Sequence, residues 1–321
     1  MIQTVTSVQL PVDETLSIKR NRLLPEGVRE GDAQSTGIPR ISIVTGIHGD
    51  ELEGQYVCYE LQRRIKENQK CLTGIVDIYP AMNPLGIDSI TRGIPDFDLD
   101  LNRLFPGSGD GDMTDVLAAG IIQAVEGSDL VFDIHASNIY LTEIPQIRIN
   151  EKTRDALVPI AMHCNVDFLW VHSASTVLES TFAWALNSRG TKTLVVEMGV
   201  GMRITKSIGN QLVDGIFCAM KEMGAWSGDV ITPKTPILSE DPNEVVFLNA
   251  STGGIFIRDK KAGDPVRKGD VVGRLVDPLS GTLLENVTSP VDGLLFTIRE
   301  YPVVSQGSLM GRILKRGGEK K

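Results

Sequence analysis

Two side chains that bind divalent metal ions stand three positions apart near residue 50. His48 and Glu51 follow an apolar, β-branched run at residues 41–47, which predicts a buried strand. Gly49 between them allows a tight turn, and residues 52–68 have helical character. The pair therefore lies where a strand turns into a helix, at the edge where open α/β sheets place their sites. The same spacing also fits a turn-capping histidine and a glutamate on a solvated helix start.

A third metal-binding side chain ends a later strand. The apolar run at residues 130–137 carries His135 near its carboxyl end, the same kind of position as that of His48. Two histidines and one glutamate leave a fourth ligand position open, and this is the pattern of catalytic zinc sites. Asp133 shares a strand face with His135, so it either orients the imidazole ring or caps a neighbouring group.

A glutamate closes the last strong strand before the chain changes character. Glu197 ends an apolar run within residues 191–199 and is followed by a glycine-rich loop. Partial burial at this position raises a carboxyl pKa, which suits a general base that activates water. A salt-bridged strand end explains the same residue equally well.

A long irregular segment at residues 87–112 supplies groups that bind carboxylates. It is too apolar for a disordered segment, and loops of this length in a compact domain are usually functional. It contains Arg92, Asn102 and Arg103, and the planar guanidinium of arginine binds a carboxylate through two hydrogen bonds. We favour a functional role for Asn102 and Arg103. For Arg92 a structural role is slightly favoured, in which it pairs with the nearby carboxylates of Asp96, Asp98 and Asp100.

The other polar residues of the predicted strands and helices are less specific. His163 ends a helix-like stretch, and His172 follows the strand at residues 166–171. Such histidines are more often structural than metal-binding, although His172 is placed where it could line a pocket. Arg148, on a strand at residues 145–150, is compatible with either a substrate contact or a surface salt bridge.

The composition excludes several classes of partner. The chain has 321 residues, 41% of them hydrophobic, and a net charge of −9. This charge argues against nucleic acid or an anionic membrane as the main partner, while a few arginines can still bind a small anion. We find no secretory signal and no apolar run long enough for a membrane span, so we expect a cytoplasmic protein.

The cysteines indicate a reducing compartment. They are scattered, without a Cys-x-x-Cys pair, at Cys58, Cys71, Cys164 and Cys218. Cys58 and Cys218 have apolar neighbours in helix-like stretches, so we expect core thiols and no disulfide framework.

The order of elements predicts the fold class. Apolar strands at 41–47, 74–80, 130–137 and 191–199 alternate with helices at 52–68, 113–126 and 204–223. Such alternation predicts an α/β domain in which helices flank a β-sheet. We place this catalytic domain at residues 1–225, with edge strands before residue 40 and a turn at residues 83–86.

The remaining residues, 226–321, predict a smaller all-β domain joined by a linker near 225–245. Two units of alternating apolar residues repeat here, and each ends in Gly-x-x-x-Gly-Arg, at Arg274 and at Arg312. Two such units predict a pseudo-symmetric sandwich or barrel that resembles the biotinyl/lipoyl-like fold. The segment lacks a Met-Lys-Met hairpin, so we predict no carried cofactor.

Four motifs in order resemble the succinylglutamate desuccinylase/aspartoacylase family: Gly46-Ile-His-Gly-Asp-Glu51, Asp100-Leu-Asn-Arg103, Asp133-Ile-His135 and Val196-Glu-Met-Gly199. The resemblance covers residues 40 to about 225 and implies a zinc carboxypeptidase-like fold, in which helices flank a mixed β-sheet. In that family a β-rich C-terminal domain is also usual.

The resemblance implies a role for each matched residue. His48, Glu51 and His135 would bind one Zn²⁺, which would polarise an amide carbonyl and lower the pKa of water. Glu197 would be the general base, and Arg92 would polarise the scissile carbonyl. The substrate carboxylate would be held by Asn102 and Arg103. The implied reaction is hydrolysis of a small N-acyl amino acid, or a related amide, to a carboxylate and a free amine.

Two alternatives to this function stay open at this stage. A metallocarboxypeptidase would use the same ligands, and an open cleft would favour peptides where a narrow pocket favours small substrates. A metal-free scaffold protein of the same fold is the other alternative. The acyl group and the amine are not determined by the sequence, and the site could also accept cobalt or manganese. We expect a homo-oligomer, since β domains with exposed edges often pair.

Overall fold

In the computed structural model of the protein, residues 1–31, 37–95, 98–173 and 179–315 are described. Asp96, one of the carboxylates predicted as a possible arginine partner, lies outside these residues. The first 225 residues contain both strands and α-helices: β1 (Ile2–Gln9), β2 (Thr15–Leu23), β3 (Arg40–Thr45), α1 (Glu53–Glu67), β4 (Ile75–Tyr79), α2 (Pro84–Ser89), α3 (Met113–Val125), β5 (Leu130–Ala136), β6 (Leu141–Asn150), α4 (Arg154–Ala161), β7 (Phe168–His172), α5 (Phe182–Ser188), β8 (Thr193–Gly199) and α6 (Lys206–Glu222).

The rest of the described chain contains β-strands and a 3-10 turn at Pro242–Glu244. Its strands are β9 (Ile237–Ser239), β10 (Val245–Asn249), β11 (Gly254–Arg258), β12 (Pro265–Val266), β13 (Val271–Asp277), β14 (Thr282–Thr288), β15 (Gly293–Arg299), β16 (Val303–Val304) and β17 (Leu309–Lys315). The predicted fold class, an α/β domain with a smaller all-β part after it, is confirmed.

One large mixed sheet forms the centre of the molecule, with the strand order β1-β2-β4-β3-β5-β8-β6-β15-β17-β10. Strands β4, β3, β5 and β8 are parallel neighbours, so their carboxyl ends meet at the same edge. Strand β6 is antiparallel to β8 and continues the sheet outwards. The chain therefore brings the ends of β3, β5 and β8, where three predicted site residues stand, to one edge.

Helices cover both faces of this sheet because its central strands are apolar on both sides. On one face, α1, α4 and α6 pack on side chains that include Ile43, Phe132 and Val196. On the other face, α3 and α5 pack on side chains that include Val44 and Val131. Since side chains alternate along a strand, Asp133 and His135 share the face of Val131. The site thus lies on the side covered by α3 and α5.

Two local predictions differ from the structure. The turn predicted at residues 83–86 is wrong, because Asn83 and Pro84 begin the short helix α2. The Asn83 Oδ1 atom accepts a hydrogen bond from Gly86 N at 2.9 Å, and proline at the first helical position is preorganised for a helix. Helix α5 was not predicted from the sequence, although Thr181 caps it through a hydrogen bond from Trp184 N.

The C-terminal strands form a sandwich, but one of its layers continues the large sheet. The first repeat unit contributes β11 and β13 to a small antiparallel sheet, while the second contributes β15 and β17 to the large one. Strand β15 pairs with β6, which joins the two parts of the chain through backbone hydrogen bonds. The boundary at residue 225 stays a prediction, as does the resemblance to a biotinyl/lipoyl-like fold.

Among the described residues, no helix is both long enough and apolar enough to cross a bilayer. The four cysteines are free thiols, and Cys58 and Cys218 are buried on α1 and α6, as predicted.

Candidate active site

The side chains of His48, Glu51 and His135 meet at the edge of the sheet. Glu51 Oε1 lies 2.8 Å from His48 Nδ1, and Glu51 Oε2 lies 3.0 Å from His135 Nδ1. The two Nδ1 atoms are 3.2 Å apart. All three side chains are buried, and their potential ligand atoms lie within 4.8 Å of one another. The structure therefore brings together the three residues that the sequence analysis singled out as candidate metal ligands.

Close backbone packing places His48 and Glu51. The loop after β3 begins at Gly46, which has a φ of 71°, a left-handed conformation that favours glycine. Gly49 packs against α2 so closely that an added Cβ would lie 2.0 Å from the carbonyl carbon of Gly86. Glu51 Oε2 then accepts a hydrogen bond of 3.1 Å from Ala136 N at the end of β5. These contacts fix the loop to the strand that carries His135.

A second carboxylate faces the far nitrogen of each histidine. Asp133 Oδ1 lies 3.2 Å from His135 Nε2, and Asp100 Oδ1 lies 3.1 Å from His48 Nε2. A proton on Nε2 of His135, facing Asp133, would leave Nδ1 with a free lone pair for a metal. Nε2 of His48 also lies 2.8 Å from Arg92 Nη2, which can only donate a hydrogen bond. Asp133 therefore lies where it can orient the His135 ring, which is one of the two roles that the sequence analysis left open. The similar position of Asp100 was missed, because the sequence suggested only a salt bridge to an arginine.

The charges in this group are strongly coupled. Burial works against a charged Glu51, yet His48 and His135 hold the pKa of its carboxyl below the ordinary value. Burial also opposes charge on His135, but Asp133 and Glu51 raise the pKa of its imidazole. Glu51 and Asp100 likewise raise the pKa of His48 against the effect of burial. A buried carboxylate between two proton-binding rings is a ligand set that a divalent cation fits, in competition with protons.

The chemistry of the donors fits zinc. Two imidazole nitrogens and one carboxylate are ligands that zinc prefers, and three protein ligands leave a position for water or substrate. The described residues offer this donor set as a buried group, with Asp100 and Asp133 on the outer nitrogens.

The three carboxylate-binding residues predicted in the long loop lie around this group. Arg92 Nη1 donates a 3.0 Å hydrogen bond to Glu51 Oε1, and its Nη2 lies 3.3 Å from Asp100 Oδ2. Arg92 thus contacts the predicted carboxylate Asp100 as well as the candidate metal group. Asn102 Oδ1 accepts a 2.8 Å hydrogen bond from Phe182 N, which fixes the orientation of its amide. Arg103 is exposed at the mouth of the cavity and donates to the carbonyl oxygen of Asn102 at 2.7 Å.

Glu197 lies on β8 directly beside His135 of β5, with which it is in register. Its side chain is 16% exposed, and Arg148 Nη1 donates a 3.1 Å hydrogen bond to its Oε1 atom. Burial raises the pKa of Glu197 to about 7, although the charge of Arg148 opposes this change. The raised pKa and partial burial agree with what the sequence predicted for this position. A carboxyl with this pKa can take up and release a proton near neutral pH.

All seven predicted site residues line one cavity of about 330 Å³. Its volume is at the lower end of the range of small-molecule pockets. Other residues that line it are Asn150, His172, Trp184, Asn187 and Arg312.

Two of the lining residues correct or extend the sequence analysis. Arg148 lines the cavity with 24% of its side chain exposed, and it pairs with Glu197 and the buried Glu143 rather than with a surface carboxylate. Arg312 comes from β17 of the C-terminal part and was not recognised as a site residue. Its only signal in the sequence was its place at the end of a repeat, which does not distinguish it from Arg274.

The fold and this cavity together define an α/β protein of the candidate hydrolase class, with a group of His48, Glu51 and His135 at the sheet edge that could hold a metal ion. Residues 37–223 match the succinylglutamate desuccinylase/aspartoacylase catalytic domain, and the chain belongs to this family. The family resemblance read from the four motifs is thereby confirmed.

Relatives with known sequences or structures agree with this assignment. The chain is 26% identical over 283 residues to N-alpha-acetyl-L-2,4-diaminobutyric acid deacetylase of Halomonas elongata. The matched region covers 86% of this chain and 82% of the relative. It shares its fold with a succinylglutamate desuccinylase/aspartoacylase from Rhodobacter sphaeroides, at a TM-score of 0.80, 21% identity and coverage of 99% and 96%. The ectoine utilization protein EutE (DoeB) from Ruegeria pomeroyi, solved with bound product, superposes with a TM-score of 0.78, 20% identity and coverage of 97% and 93%.

Proposed function

We propose that the protein is a zinc-dependent deacylase that hydrolyses a small N-acyl amino acid to a carboxylate and a free amino acid. The observation that carries the proposal is the buried group of His48, Glu51 and His135 beside Glu197 in one cavity. Membership of the family and the deacetylase name of the Halomonas relative support the substrate class.

In this proposal His48, Glu51 and His135 hold the metal. Bound zinc would polarise the substrate carbonyl and acidify the attacking water. The Nδ1 atoms of both histidines face Glu51, the outer nitrogen of His135 faces Asp133, and the outer nitrogen of His48 faces Asp100 and Arg92. The chain's own contribution here is to hold three donors in place before substrate arrives.

Glu197 is the proposed general base and acid. It takes the proton of the attacking water as the water oxygen bonds to the acyl carbon, and it later gives this proton to the leaving nitrogen. The C–N bond then breaks to give a carboxylate and an amine. Its pKa, which burial raises to about 7, suits both directions of transfer.

Three residues bind and orient the substrate. Arg92, whose Nη1 bonds Glu51, is proposed to donate hydrogen bonds to the oxygen that gains negative charge. Asn102 and Arg103 lie at the same cavity and are proposed to hold the substrate carboxylate. The cavity of about 330 Å³ favours small N-acyl amino acids over peptides.

A kinetic comparison tests this proposal. We expect the wild-type protein, loaded with zinc, to release amine from at least one member of a panel of N-acetyl and N-succinyl amino acids. Glu197→Gln keeps the shape of the side chain but removes the base, so kcat should fall by about 10²–10⁴-fold with zinc retained. The matched control is Glu244→Gln, since Glu244 bonds Ser239 and is not among the residues lining the cavity.

Two results would contradict the proposal. Release of C-terminal residues from peptides, without activity on acyl amino acids, would make the protein a carboxypeptidase. Full activity in Glu197→Gln would remove Glu197 from its proposed role.

A further inference from the structure

An ionic network connects Glu197 with the C-terminal strands. At its centre the Glu143 carboxylate accepts hydrogen bonds from Arg148 Nη2 at 2.8 and 3.0 Å, Arg312 Nη1 at 2.6 Å and Thr297 Oγ1 at 3.0 Å. Through its other terminal nitrogen, Arg148 binds Glu197 at 3.1 Å. The order of contacts is therefore Arg312, Glu143, Arg148 and Glu197.

Strand register places these groups side by side. Glu143 on β6 is the partner of Thr297 on β15, and Thr297 is in turn the partner of Arg312 on β17. Side chains directly opposite one another on adjacent strands contact each other. This row crosses the junction between the two parts of the chain, so the C-terminal part contributes a side chain to the active-site cavity.

A bulge in β6 completes the arrangement. Between Glu143 and Gln146 this strand advances three residues, while β8 advances two from Gly199 to Glu197. The extra residue reverses the alternation, so Glu143 and Arg148 lie on one face although five positions separate them. Without the bulge, the two side chains would point to opposite faces of the sheet.

The charges within the network balance. Two arginines face two carboxylates, and the Glu143 side chain is only 1% exposed. Buried charges are stable only when they are paired and hydrogen-bonded, so each member restricts the position of its neighbour. Arg148 contacts both carboxylates, and its placement against Glu197 therefore depends on where Glu143 is held.

We propose that Arg312 is a positioning residue for the proposed general base. By holding Glu143, it fixes Arg148 in the orientation that binds Glu197, and the C-terminal part is thereby required for catalysis as well as for closing the cavity. The inference rests on the proposed function for the role of Glu197, but the contacts that carry it are independent of the substrate.

The internal repeat supplies a matched control. Arg312 and Arg274 end the two repeat units in the same Gly-Arg context, but Arg274 forms a surface salt bridge with Asp259 at 2.8 Å. We expect Arg312→Met to lower kcat by about 10- to 100-fold with KM little changed, because small displacements of catalytic groups have effects of this size. Arg274→Met should have wild-type kinetics. Both variants should retain zinc and a cooperative thermal transition.

Crystal structures of the wild type and Arg312→Met give a readout that is independent of activity. We expect the contact between Arg148 and Glu197, 3.1 Å in the present structure, to be lost in the variant. If Arg312→Met does not fold, Arg312→Lys is the test, with a lowered kcat expected.

Three results would overturn the inference. One is an unchanged contact between Arg148 and Glu197 in the variant that folds. The second is a kcat equal to that of Arg274→Met, and the third is a higher KM at unchanged kcat, which would make Arg312 a direct substrate contact. If the wild type cleaves no acyl amino acid, the proposed function fails, but the crystallographic comparison still decides whether Arg312 positions Arg148.

Discussion

At the scale of single residues, the site depends on carboxylates with opposite electrostatic surroundings. Glu51 lies between two histidines that keep it charged in spite of burial. Glu197, one strand away from His135, has its pKa raised to about 7 mainly by burial. One carboxylate is thus suited to bind a cation and the other to exchange a proton, and this difference supports their separate proposed roles.

The pKa of Glu197 leads to a prediction for the pH profile. The base must be deprotonated to accept a proton from water, so kcat should fall as pH decreases through about 7. Arg148→Met removes a positive charge that lowers this pKa, so the acidic limb should move to higher pH. Measurements of kcat from pH 5 to 9, with unfolding followed in parallel, test this. A kcat without an acidic limb between pH 5 and 9, as expected for a carboxyl with the ordinary pKa of 4.5, would contradict it.

At the scale of elements, the loop after β3 is held to α2 by a contact between two glycines. An added Cβ at Gly49 would lie 2.0 Å from the backbone of Gly86, so one of the two segments would have to move. We expect Gly49→Ala to destabilise the fold by about 1–3 kcal/mol. It should also weaken zinc binding, because His48 and Glu51 flank this position.

Gly109→Ala is the matched control for this substitution. An added Cβ there meets no atom within 4 Å, and Gly109 has no left-handed φ. Thermal unfolding and zinc titration of both variants provide the measurement. Equal behaviour of the two variants would show that the contact between the loop and α2 does not position the ligands.

Local sequence patterns predicted most of the elements and pointed to seven candidate site residues, which the structure brings to one cavity. The apolar runs of β3, β5 and β8 were recognisable because these strands are buried on both faces. His48, His135 and Glu197 stand at or just after the carboxyl ends of these runs, so their positions could be predicted with the strands. Helix α2 was predicted as a turn, since Asn-Pro is common to turns and to helix starts. Helix α5 has only seven residues, too few for a clear period.

The contributions of Glu143 and Arg312 could not be predicted in the same way. Their contact depends on which strands become neighbours across the junction between β6 and β15, and on a bulge that changes the face of one side chain. Neither feature has a local signal, because strand pairing over more than 150 positions is decided by the whole fold. The distance of 2.6 Å between these two side chains is visible only in the structure.

At the scale of the whole molecule, the two parts of the chain share one sheet and one cavity. Strand β15 extends the sheet of the first part, and β17 supplies Arg312 to the cavity wall. The wall limits the volume available to substrate to about 330 Å³, which supports the proposal of small N-acyl amino acids over peptides. The predicted homo-oligomer and cytoplasmic location stay predictions.

The most direct test of the account is the metal content of the purified protein, with chelation and readdition of zinc followed by amine release. We expect about one zinc per chain. His135→Asn should bind far less zinc, while His163→Asn should bind zinc like the wild type, since His163 is not among the residues that line the cavity. Activity should disappear on chelation and return with zinc. A protein that binds no metal, or that hydrolyses acyl amino acids equally well without one, would contradict the account.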